Sequence, residues 1–225
     1  MQIFDNAITN LKLLKEIEEN KKLFPESMGS SEKIAEELNS YHYEKSDCFA
    51  PYMFWEGWQK SETDTTAKKI IKEIWETRLP FPIEELCGFE YWMRTFNPGQ
   101  YLDVHVDEDT FLYSKTKVFK GPITGCVYYP HTNDVVGGFL EIHDKAISDD
   151  TKNALERENL DPLVVPIEMR ERIACRPNRV VIFDTGHIPH NTTPPVSGKR
   201  SVMVINVWHV DSPPSALLTG EFFRE

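Results

Sequence analysis

Apolar side chains recur three and four residues apart through roughly the first 90 positions, which predicts helices. "NAITNLKLLKEIEENKKL" sets Ile8, Leu11, Leu14 and Ile17 at that spacing, with charges between them. "SSEKIAEELNSYHYEK" opens on a serine cap with glutamates in its first turn. "TDTTAKKIIKEIWETRL" offers Thr65 or Thr66 as a start, carries Ile70, Ile71, Ile74 and Trp75, and stops at Pro80. The aromatic residues of "FAPYMFWEGWQK" are read as packing against a neighbouring layer.

From about residue 89 the period shortens. "FEYWMRTF", "YLDVHVD", "GCVYYP", "GGFLEIHD", "LVVPIEM", "RVVIFD" and "RSVMVINVWHV" are short runs rich in Val, Ile, Tyr and Phe, separated by Gly, Pro and Asn. Such runs predict strands of a sandwich or barrel. The polar, helix-compatible stretch "HDKAISDDTKNALERENLDP" interrupts them, and its position makes 144–162 an insertion and a candidate lid or solvated surface helix. The expected organisation is α+β and one domain. A mostly helical part (1–90) packs on a jelly-roll core (91–211), followed by a C-terminal tail (212–225).

Composition narrows the function classes. The chain has 225 residues, 40% hydrophobic and 27% charged, which suits a globular protein with a sizeable core. A net charge of −11 argues against an electrostatic hold on nucleic acid or an anionic membrane. No run reaches the ~18 apolar residues of a membrane span, and the start is not that of a signal peptide. Cys48, Cys87, Cys126 and Cys175 form no CxxC pair, so a reduced cytoplasmic protein is expected.

"HVD" occurs twice, at His105–Asp107 and His209–Asp211. In an extended chain, residues i and i+2 share a face, so either pair could approach one metal ion. In "YLDVHVDED" the residues Tyr101, Asp103, His105 and Asp107 form a polar face expected to point into the barrel. Leu102, Val104 and Val106 form the apolar face, expected against a second layer. His209 and Asp211 end a strand at "DSPP" and are expected at a surface edge. His42 and Glu44 lie in a helical stretch, where i and i+2 diverge. A third ligand is sought in "RPNRVVIFDTGHIPHNTTPPVSGKRSVMV", where His187 and His190 both occupy a turn between strands. Arg200 then opens an apolar strand, where a guanidinium needs an anionic partner such as a substrate carboxylate.

Residues 94 to 208 resemble the Fe(II)- and 2-oxoglutarate-dependent dioxygenases, closest to the prolyl hydroxylase branch. "FNPGQYLDVHVD" is similar to the family's aromatic residue, Pro-Gly turn and HxD strand. "GCVYYP" matches its tyrosine strand, "GGFLEI" its Gly-Gly strand, and "PHNTTPPVSGKRSV" its distal histidine with a basic residue ten positions on. The resemblance implies a double-stranded β-helix, with His105, Asp107 and His190 as iron ligands. It also implies Arg200 and Tyr129 on the distal carboxylate of 2-oxoglutarate, and dioxygen as the oxidant. The activity implied is hydroxylation of a small molecule, an amino acid or a prolyl or peptide substrate, with 2-oxoglutarate converted to succinate. Halogenating relatives lack the carboxylate that Asp107 supplies here, so hydroxylation or desaturation is implied instead.

Three positions depart from the pattern. Phe96 stands where many members carry tyrosine, the usual Arg-x-Ser is Arg200-Ser201-Val202, and Asn206 stands where nucleic-acid repair relatives place a second arginine. A cupin-type metalloenzyme without 2-oxoglutarate, and a non-catalytic jelly-roll module with a vestigial site, are the other readings.

Overall fold

A computed structural model of the chain describes residues 1–26, 52–143 and 169–215. The helix expected within "SSEKIAEELNSYHYEK", Cys48, the His42–Glu44 pair, the 144–162 insertion and most of the C-terminal tail lie outside the described residues.

Helices form where caps and periodicity agree. Asn10 caps α1 (Leu11–Glu19), its side chain accepting from the backbone N–H groups of Lys12 and Leu13. The buried stripe is Leu13 and Ile17, while Leu11 is 79% exposed; Ile8 packs from the segment before the helix. Thr65 caps α2 (Thr66–Trp75), which buries Ile70, Ile71, Ile74 and Trp75. A short α3 (Thr110–Thr116), capped by Asp109, was not anticipated from the periodicity.

The larger part is antiparallel sheet. The strands are β1 (Gln2–Asp5), β2 (Met53–Trp55), β3 (Leu86–Phe96), β4 (Leu102–His105), β5 (Thr124–Tyr129) and β6 (Thr132–Gly137), then β7 (Leu140–His143), β8 (Met169–Ile173), β9 (Arg179–Phe183), β10 (His190–Thr192) and β11 (Pro195–His209). Among the described residues, one sheet runs β1-β9-β5-β11-β3-β2 with β6 also on β11, and the other runs β4-β10-β7-β8. The chain changes sheet between β3 and β4, β4 and β5, β6 and β7, β8 and β9, β9 and β10, and β10 and β11. That is a jelly-roll-like arrangement. The first 90 residues are therefore not purely helical, because β1 and β2 extend the two edges of the larger sheet. The Arg179 guanidinium staples β1 to β9 through Asp5, at 2.6 and 2.9 Å.

The larger sheet is covered on both faces, which is why its strands read as near-continuous apolar runs. Phe89, Tyr91, Met93, Tyr128, Ile182, Met203, Ile205 and Val207 belong to one buried cluster with Leu13, Ile17 and Trp75 of the helices. Their alternate neighbours Trp92, Phe96, Val127, Tyr129, Phe183, Val202 and Val204 join Leu140 and Ile142 of the smaller sheet in a second cluster. This second cluster is the space between the sheets, and the polar groups of the site border it. No helix among the described residues is long and apolar enough to cross a membrane.

Candidate metal centre

β4 and β10 lie side by side, and His105 pairs with His190 in register. Four residues of β4, Leu102 to His105, oppose three of β10, His190 to Thr192, a β-bulge that breaks the alternation of side chains. Leu102 consequently packs between the sheets while Asp103 is exposed. The expected polar row Tyr101–Asp103–His105–Asp107 does not enter the interior as a unit. The bulge turns Leu102 and His105 the same way, although they are three apart.

His105, Asp107 and His190 bring one ligand atom each within 4.8 Å of the others. Asp107 Oδ1 is 3.8 Å from Nε2 of both histidines, beyond hydrogen-bond reach. The imidazole tautomers follow from their backs. His105 Nδ1 lies 2.6 Å from the Asp103 carbonyl and His190 Nδ1 3.0 Å from the Ile188 carbonyl. A carbonyl only accepts, so each Nδ1 carries a proton, and in the neutral ring Nε2 is then the nitrogen with the lone pair. Burial, with the His105 ring alongside, pulls His190 down to about 4, so it is neutral at ordinary pH. Asp107 Oδ2 is buried without a hydrogen-bond partner among the described residues. Two imidazole nitrogens and a carboxylate oxygen thus converge on one point, the donor set that a cation requires. Two imidazoles and one carboxylate suit a divalent transition metal such as iron or zinc.

A second group of side chains sits beside this cluster. Arg200 is 0% exposed, its guanidinium 4.4 Å from the Phe96 ring. Its Nη2 donates to Thr192 Oγ1 (3.0 Å) and its Nη1 to the Gly138 carbonyl (3.4 Å), while Nε has no partner among the described residues. The groups acting on its charge are Tyr129 and Cys175, and neither is a carboxylate. Tyr129 is fully buried, its hydroxyl without a hydrogen-bond partner among the described residues and burial pushing its phenol up. Thr192 lies two residues from His190 on β10, which places the arginine pocket against the metal cluster. Gly138 takes φ +65°, and a Cβ there would stand 3.4 Å from Arg200 Cδ, so the backbone of this turn forms one wall.

The other expected residues lie elsewhere. His187 is held by Asp184 (Nδ1 to Oδ1, 2.9 Å) and is not in the cluster. His209 lies 3.9 Å from Glu85 and 3.5 Å from Asp211, whose side chain is 87% exposed, so the second HVD is at a strand end. Ser201 faces away from Arg200 and bonds Thr95 Oγ1 at 2.7 Å, so it has no place in the pocket. Asn206 does face the interior, its Oδ1 accepting from Thr185 Oγ1 at 3.0 Å, and the Thr185 carbonyl receives the Asp107 N–H at 2.8 Å.

Sequence reasoning passed over Thr192 and Glu90. Both stand beside motif residues, but their hydrogen bonds run to other strands. Glu90, paired with Asn206 across β3 and β11, accepts from Trp208 Nε1 at 2.8 Å. Burial pushes its carboxyl up to about 8, with the charges of Asp107 and Asp109 adding to the shift. The folded chain therefore holds a proton that the unfolded chain releases near pH 4.5. Stability of the metal-free protein should fall as pH rises from about 5 to 8, by at most about 1.4 kcal/mol per pH unit from this group. Glu90→Gln should flatten that slope in denaturant titrations at pH 5, 6.5 and 8. An unchanged slope would show that Glu90 is not the group responsible.

No protein-family model matches the chain, and no curated protein matches its sequence. Among solved structures, the chain is similar to a prolyl-4-hydroxylase from Pseudomonas putida, at 12% identity and a TM-score of 0.43, over 92% of this chain and 86% of that one. It is also similar to a prolyl hydroxylase from Trichoplax adhaerens, solved with a hypoxia inducible factor oxygen degradation domain peptide fragment. There the identity is 11% and the TM-score 0.45, over 94% and 84% of the two chains. A 2OG-Fe(II) oxygenase family oxidoreductase from Burkholderia pseudomallei matches at 11% identity and a TM-score of 0.33, over 65% and 52%.

Proposed function

We propose that the protein is an Fe(II)- and 2-oxoglutarate-dependent oxygenase that hydroxylates an unactivated C–H bond. In this reading the two sheets are a double-stranded β-helix, with the N-terminal helices packed on the outer face of the larger one. His105, Asp107 and His190 hold the iron, and Arg200 with Tyr129 receives the distal carboxylate of 2-oxoglutarate. When bound, ferrous iron, 2-oxoglutarate and dioxygen together supply an oxidant able to attack such a C–H bond, with succinate and carbon dioxide as co-products.

The observation that carries the reading is Arg200. A guanidinium taken wholly out of water, with no carboxylate among its described partners, is costly unless an anion joins it. Its Thr192 partner stands two residues after His190, one of three converging metal-ligand residues, so an anion with a chelating far end fits both. Zinc would suit the ligands but leaves the arginine unexplained. The chain's own work is positional. The Asp103 and Ile188 carbonyls hold the imidazoles in the ligating tautomer, the Thr185 carbonyl anchors the Asp107 backbone, and Phe96 shields the guanidinium from water. The side chain of His105 is 34% exposed, so substrate approach is assigned to that side. The substrate class stays as broad as a small molecule, a free amino acid or a prolyl or other peptide residue.

Anaerobic titration with Fe(II) and 2-oxoglutarate tests this. A visible charge-transfer band should appear in wild type, persist in His209→Ala and vanish in His105→Ala. Iron bound without a band would favour a cupin-type metalloenzyme that does not use 2-oxoglutarate. A band lost with His209 but kept without His105 would overturn the site.

A further inference from the structure

The Thr192 hydroxyl is more fully committed than a simple wall residue would be. Its oxygen accepts from the Leu102 N–H of β4 at 2.9 Å and from Arg200 Nη2 at 3.0 Å. Both partners are donors, so the hydroxyl oxygen's two lone pairs are in use and its own proton remains to be given. No hydrogen bond in which Thr192 donates is formed among the described residues. The side chain is buried, so bulk water does not take the proton.

Two more donors of the same pocket stand in that condition, Arg200 Nε and the Tyr129 hydroxyl. Three buried donors without acceptors lie around one positive charge. A carboxylate offers two oxygens with about four lone-pair directions, which can take all three. Water could satisfy a hydroxyl, but it brings no negative charge to the guanidinium.

We propose that Thr192 donates its hydroxyl proton to the distal carboxylate of 2-oxoglutarate, as a third binding group beside Arg200 and Tyr129. This rests on the 2-oxoglutarate reading above. Thr192 also ties three things together, since one hydroxyl spans β4, β11 and the ligand, and its residue stands two positions after His190.

The test compares Thr192→Val with Thr192→Ser in the full chain, measuring 2-oxoglutarate affinity anaerobically with Fe(II) bound. Valine keeps the shape and removes the hydroxyl, and affinity should fall about tenfold, the loss expected for one hydrogen bond to a charged group. Serine restores the hydroxyl and should stay within about twofold of wild type. Valine binding as tightly as wild type, or serine as weak as valine, would overturn the assignment. If the valine variant does not fold, Thr192→Cys takes its place, because a thiol is only a weak donor. Failure of wild type itself to bind 2-oxoglutarate while holding iron would instead overturn the cosubstrate reading, and this inference with it.

Discussion

Arg200→Met should abolish measurable 2-oxoglutarate binding while leaving Fe(II) binding close to wild type. Methionine keeps an unbranched apolar stem against Phe96 and removes every guanidinium donor. Each hydrogen bond to a charged group contributes about 1.5–3 kcal/mol, so losing a two-donor grip weakens affinity by at least about 100-fold. Stability should move the other way. In the ligand-free chain Arg200 is a buried cation with no carboxylate partner among the described residues, and replacing such a charge by an apolar side chain is neutral or stabilising. The expected pair of results is an unchanged or raised midpoint in denaturant, and loss of the extra stability that 2-oxoglutarate gives to wild type. A destabilised variant that still binds 2-oxoglutarate would assign Arg200 to the fold instead.

Asp107→Ala should lower Fe(II) affinity by about 100-fold or more, since changes even to the partners of metal ligands cost ten- to a hundredfold. The variant leaves two imidazoles facing each other without a negative charge, and their rings already lie 4.4 Å apart. Thermal or denaturant unfolding with and without Fe(II) reads this directly. Wild type at 100 times its Kd gains about 2.7 kcal/mol from the ion, and the variant should gain almost nothing at the same concentration. His190→Ala should behave alike, whereas His187→Ala should retain the gain, because the side chain of His187 is occupied with Asp184. Equal losses for His187 and His190 would mean that the ion sits elsewhere.

Much of this site is legible in order and spacing. An HxD pair in an extended run, a later histidine in a turn between strands and an arginine entering an apolar strand are local patterns, each with a local physical reason. The caps behave the same way. Asn10 and Thr65 lie within their own helices' hydrogen-bond reach, so the starts of α1 and α2 follow from residues a few positions apart. Alternation along β11 likewise predicts a strand, and Met203, Ile205 and Val207 do separate from Val202 and Val204 onto opposite faces.

What failed or was missing depends on residues far apart in the chain. The direction of Leu102 and Asp103 is reversed from the simple alternation by a bulge whose cause is the pairing with β10, nearly 90 residues away. β1 and β2 are too short to announce themselves and exist because β9 and β3 offer edges to pair with. Thr192 has no signal of its own, since its meaning comes from Leu102 and Arg200. Sequence alone determined which chemical groups were available and the periods of the elements that carry them. Only the tertiary structure decided that His190, not His187, meets His105 and Asp107, and that Arg200 is buried without a carboxylate among the described residues. Convergence and desolvation are properties of strands brought together, and no local pattern of side chains contains them.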